Sequence, residues 1–245
     1  MEWIKLRTMQ STWWTLALSA VAAAVLAVTI GVNTRNAHGD LTNNALAGMI
    51  PPLLLTGVLG ILTMTGEYSS GMIRATLAAV PHRPLLMAAK AAVFGAAALV
   101  VGEAAAFLAF FAGSASLPAS IRAPSLADPG VARAVLLSGT SFCLVGLIGL
   151  GLGAVIRHTG VAVAVLIGGV YVGAQILGFF TQAMLAWLPI LIIGNSLSTT
   201  QPENCPAHAA MCPRFLSPWA GLGVLCLYAA VALVAGGWVL TRRDA

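Results

Sequence analysis

Residues 66–84 read "GEYSSGMIRATLAAVPHRP", a polar stretch between two long apolar runs. It is too polar to lie among lipid tails and too short to be a domain. Within it Ile73, Leu77 and Val80 stand at i, i+4 and i+7, the spacing of an amphipathic helix. Ser69 or Ser70 is placed to cap its start. Pro81 ends it, because the residue before a proline avoids the α region. "PHRP" then makes a tight turn, with Pro84 in the first turn of the next helix. The expected element is a short helix lying along a membrane surface between two spanning helices. A loop resting on lipid headgroups would account for Arg74 and Arg83, but it does not require Glu67 at the membrane edge.

The rest of the chain fits that placement. Of its 245 residues, 59% are hydrophobic and 8% charged, against roughly 25% charged in a soluble domain. The reading is an all-α, polytopic membrane protein, one transmembrane domain over residues 1–245, bathed in membrane lipid. The net charge of +5 is spread too thinly to imply a nucleic-acid partner, and its placement along the chain carries the information. A spanning helix takes about 20 apolar residues. Six runs qualify: Trp14–Val32, Ala45–Gly66, Leu85–Gly113, Val131–Ile156, Gly160–Phe180 and Pro218–Leu240. The first follows a charged, Trp-bearing segment, read as an N-terminal interfacial helix, and has no A-x-A-type cleavage site, so it is read as retained.

With the N-terminus inside, the cytoplasmic side receives Lys5, Arg7, Arg74, Arg83, Lys90, Arg157, Arg242 and Arg243, and the outside Arg35, Arg122, Arg133 and Arg214. That is the positive-inside bias. It predicts a multi-pass cell-membrane protein with both termini cytoplasmic. All six tryptophans lie near a predicted boundary, where an amphipathic ring is most stable. Residues Ser114–Gly130 read as an irregular outer loop. The apolar "QAMLAWLPILIIGNSL" (182–197) is too short to span and reads as a re-entrant or interfacial segment on the outer side.

Polar residues inside spans face protein or a cavity. Thr56, Gly60, Thr63 and Glu67 fall on one helical face, as do Tyr171, Gln175, Gly178 and Gln182. Either the two stripes line a pathway, or their small and hydroxyl residues let helices pack closely. Glycine pairs at Gly149/Gly153 and Gly169/Gly173 also permit close contact. Glu103 lies 19 residues past Pro84, or about 28 Å along a helix at about 1.5 Å per residue. An intramembrane carboxylate can couple to protons. A structural pair with Arg133 is the favoured reading. Cys205 and Cys212 share the last outer loop, where a disulfide is permitted and is favoured over a metal site. Cys143 and Cys226 read as buried packing residues.

The chain has no G-x-x-x-x-G-K-[ST] phosphate loop and no H-E-x-x-H, and His38, His82, His158 and His208 are scattered. No catalytic residue, metal or cofactor is therefore expected in it. Here "EYSSGMIRATLAAVPHRPLLMAAK" resembles the segment between the second and third spans of ABC-2-type ABC transporter permeases. Glu67, Gly71, Thr76, Leu77, Pro81, Arg83 and Lys90 match that family's pattern. The opening "EWIKLRTMQSTWWTL" resembles that of small actinobacterial permeases of the same family. The resemblance implies a coupling helix, with Glu67, Gly71, Ile73, Arg74, Leu77, Pro81 and Arg83 as its residues, docking into a separate ABC ATPase subunit. It further implies two permease chains, identical or related, and two ATPase copies that bind ATP and Mg. Thr56, Thr63, Tyr171, Gln175 and Gln182 would line the seam between the permeases. A proton-coupled transporter using Glu103 and a non-transporting membrane scaffold are the rival expectations.

Overall fold

Glycine selects the helix at the centre of the bundle. The computed structural model describes residues 10–34, 40–79, 82–169, 187–199 and 216–242. These residues form α1 (Gln10–Asn33), α2 (Leu41–Ala47), α3 (Ile50–Ser69), α4 (Met72–Ala79), α5 (Arg83–Ala115), α6 (Val131–Ile156), α7 (Thr159–Ile167), α8 (Pro189–Ser196) and α9 (Pro218–Arg242). Helix α6 packs against α3, α5, α7 and α9. Its contacts are made backbone to backbone. A methyl group added at Gly149 would overlap the Gly57 carbonyl of α3, and one at Gly60 would overlap the Gly146 carbonyl. One at Gly102 of α5 would lie 2.7 Å from the Gly139 oxygen, and one at Gly236 of α9 would lie 2.8 Å from Ala154 Cβ. In lipid no hydrophobic force drives helices together, so such close approach is what brings dispersion contacts into range. Burial follows: 72% of the apolar window of α6 is buried, against 17% for α9, whose exposed apolar face suits lipid.

Five described helices are long and apolar enough to cross a membrane: Trp13–Asn33, Ile50–Ser69, Arg83–Ala115, Val131–Ile156 and Pro218–Arg242. The second differs from the expected Ala45–Gly66. Asp40 caps the separate helix α2, its Oδ1 accepting from the Thr42 and Asn43 amides at 3.1 Å. The chain then breaks at Gly48, which is pressed onto the α1 backbone at Ala23 and Ala27. Pro51 and Pro52 open α3, where a missing N–H leaves no helical bond unmade. The span therefore runs to Ser69 and carries Glu67 within it. Of the expected run Gly160–Phe180, α7 and the following turn to Gly169 are described, while residues 170–186 lie outside the described residues. So do residues 1–9, the expected interfacial helix.

The bundle has two polar ends. At one, Asp40 also accepts from the Thr199 amide (2.6 Å) and hydroxyl (3.0 Å), and Arg133 donates to the Ser198 carbonyl at 2.9 Å. Helix α8 sits here, with Ile192 packed on Gly221 at the start of α9. The connection between α5 and α6 also lies here and is irregular, held by Asp128, which accepts from the Ser125 amide at 2.8 Å. At the opposite end lie Glu67, Arg83, Arg157 and the end of α9.

Candidate functional site

The Glu67 end is built from four chain segments. Helix α3 ends at Ser69, and Gly71 turns the chain with φ +69°, a left-handed conformation glycine adopts without steric cost. The Ser69 and Ser70 hydroxyls donate back to the Gly66 carbonyl, at 3.1 and 2.7 Å. They close α3 and do not cap the next helix, which corrects the expected start signal. Helix α4 follows as Met72–Ala79. Ile73 is buried at 3% exposure, while Met72 is 47% exposed and Ala75 and Ala78 face outward. Of the expected apolar stripe Ile73, Leu77 and Val80, the structure describes the burial of Ile73 alone. Val80 and Pro81, with the side chains of Arg74 and Leu77, lie outside the described residues.

The roots of α4 are tied together beneath it. Lys90 Nζ lies 2.7 Å from Glu67 Oε1, with both side chains 6% exposed. The two residues sit on antiparallel helices one turn from the end of α3 and two turns into α5, so the ion pair joins the segments that flank α4. Lys90 sits inside the bundle and does not face headgroups. Burying two charges is costly unless they pair closely, and here Lys90 Nζ meets Glu67 Oε1 at hydrogen-bond distance.

A second tie runs to the last helix. Arg83, in the "PHRP" turn, donates from Nη1 to the Leu240 carbonyl at 2.7 Å. Leu240 is among the last four residues of α9, whose carbonyls have no partner within the helix, and a cation there also meets the negative end of the helix dipole. A third tie is Arg157. It ends α6 in the left-handed region at φ 60°, unusual for a residue bearing a Cβ, and its guanidinium lies 4.9 Å from the Tyr68 ring centroid. Thr159, opening α7, donates to the Thr65 hydroxyl at 2.9 Å, and Thr65 donates to the Ile61 carbonyl. Helices α5, α6, α7 and α9 are thus each tied at this end to α3 or to the turn that follows α4.

The sequence reading named Glu67, Gly71, Ile73 and Arg83, which lie together at this end; it gave Arg157 only as a cytoplasmic charge and did not name Tyr68 or the Thr65–Thr159 contact. The available signal for Arg157 was a helix end at "VIRHTG" with no glycine or asparagine in the position that commonly takes the left-handed turn.

The expected pathway stripe divides. Thr56 is fully buried, its hydroxyl donating to the Pro52 carbonyl at 3.2 Å and its methyl set against Gly146. Thr56 and Gly60 thus pack α3 on α6. Thr63 is half-buried and bonds to the Gly60 carbonyl at 2.7 Å. Tyr171, Gln175 and Gln182 lie outside the described residues, as do Cys205 and Cys212. Cys143 is buried, donating to the Gly95 carbonyl at 3.2 Å, but Cys226 is exposed on α9 and does not pack in the core.

The expected Glu103–Arg133 pair does not form. Glu103 Oε1 accepts from Thr140 at 3.2 Å, and Arg133 is engaged with Ser198. Thr140 stands seven residues from Arg133, about 10 Å along the axis, so the two groups occupy different levels of the bundle. No family model matches this chain, and no curated protein is similar to it.

Proposed function

We propose that this chain is the transmembrane subunit of an ABC-2-type exporter, in which two permease chains, identical or related, form the pathway and two copies of a separate ABC ATPase drive it. The observation that carries the reading is the mounting of α4. A short amphipathic helix hangs between two spans whose ends are clamped by the buried Glu67–Lys90 pair and tied through Arg83 to α9. A push on such a helix moves the spans rather than bending a loop. The small outward face of Met72, Ala75 and Ala78 leaves room for close contact with a docking cleft.

The positive-inside bias puts the Glu67 end in the cytoplasm, where ATP and Mg would be bound by the partner. Thr159 is hydrogen-bonded at the Glu67 end and Thr199 at the Asp40 end, which supports a sixth crossing by the residues between them. Thr63, Tyr171, Gln175 and Gln182 are the stripe residues assigned to the seam, while Thr56 packs helices. Purification from native membrane tests the reading. A phosphate-loop ATPase is expected to co-purify, and its activity is expected to uncouple from transport in Glu67→Ala. Transport by the purified chain alone, with no ATPase present, would refute it.

A further inference from the structure

We propose that Glu103 is a proton-binding site inside the membrane, carrying a neutral carboxylic acid that reacts with lipid-soluble carbodiimides. Glu103 sits on α5, level with Gly139 and Thr140 of α6. Its carboxyl rests on Gly139, where an added methyl group would lie 2.5 Å from the carboxyl carbon. Oε1 accepts from Thr140, and Oε2 is buried with no hydrogen-bond partner. One neutral hydroxyl is too little to hold a full negative charge away from water, whereas an acid at the same place has no charge to be solvated.

Among the described residues, nothing packed around it supplies a counter-charge. On α6 the ionisable neighbours are Cys143, one turn inward, and Arg133, two turns outward and bonded to Ser198. On α5 Lys90 is 13 residues away and paired with Glu67. Helices α1 and α2, which also pack on α5, contain no ionisable residue; Asp40, preceding α2, caps it and binds Thr199. Helix α9 brings Cys226 and Tyr228, and Arg242 only at its far end.

The site opens to the lipid phase. Val100, Glu103, Phe107 and Phe111 follow helical spacing along one face of α5, with Val100 71% and Phe111 55% exposed. Dicyclohexylcarbodiimide partitions into lipid and adds to the protonated form. The carboxyl oxygen bonds to the central carbon, the acid's proton passes to a carbodiimide nitrogen, and an oxygen-to-nitrogen acyl shift gives a stable acylurea with no leaving group. The protein in liposomes is treated with the reagent, and the peptide containing Glu103 is weighed.

One adduct at Glu103 is expected, absent in Glu103→Gln. Its rate should fall about tenfold per pH unit once the carboxyl ionises. Thr140→Val removes the donor that favours the charged form and is expected to label at least as fast as the parent. It also leaves the carboxyl in place should Glu103→Gln fail to fold. A Glu103 peptide that stays unmodified at low pH, or one modified instead by a water-soluble carbodiimide with an amine, would overturn the proposal. The labelling needs no ATPase, so its outcome is distinct from that of the exporter reading.

Discussion

The Glu67–Lys90 pair offers the sharpest quantitative test of how the α4 end is held. At 2.7 Å and an effective dielectric of about 20, two unit charges attract by about 6 kcal/mol. Much of this offsets the removal of both charges from water. Removing one partner leaves the other charge buried, and such truncations cost about 3–5 kcal/mol. Removing both discards the attraction and the desolvation together, so the double variant is expected to be much less destabilised than the two singles combined. Glu67→Gln, Lys90→Met and the double variant would be compared by thermal unfolding in detergent. A chain of this size loses about 2–4 °C per kcal/mol, so each single variant should drop by roughly 6–20 °C. The coupling in the double-mutant cycle should reach about 1–3 kcal/mol. Additive losses, with coupling under about 0.5 kcal/mol, would show that the two charges are solvated separately and that the clamp beneath α4 does not exist.

The other expectations rest on neighbouring contacts. Gly149→Ala pushes a methyl group into the Gly57 carbonyl and should cost about 1–3 kcal/mol through overpacking, read as a lower unfolding temperature. The same substitution at Gly223, where nothing lies within 4 Å, should have little effect. Arg83→Ala removes the charged bond to Leu240 and should cost about 1.5–3 kcal/mol. Hydrogen exchange is then expected to rise in the last turn of α9, and unchanged exchange there would mean that Arg83 does not hold that end.

Composition and apolar run length alone made this an all-helical membrane protein, because burying a backbone in lipid leaves a chain of this kind little choice but the helix. The same reading placed a short amphipathic helix after Glu67, since a 3.6-residue period survives whatever the helix packs against. It could not say what any polar side chain would meet. Glu67 and Lys90 are 23 residues apart, and they become partners only because α3 and α5 run antiparallel at one particular level. Glu103 and Arg133 looked suited to each other in sequence, yet Arg133 stands two turns farther along the same face of α6, where it meets Ser198, and Glu103 meets Thr140 instead. The break before Pro51 was hidden for a related reason: apolar residues continue through it, and only the contact of Gly48 with α1 reveals why the helix stops. Periodicity records which residues share a face of a helix. Which neighbour lies opposite that face, and at what depth, is decided by how closely the glycines of α6 let the other helices approach.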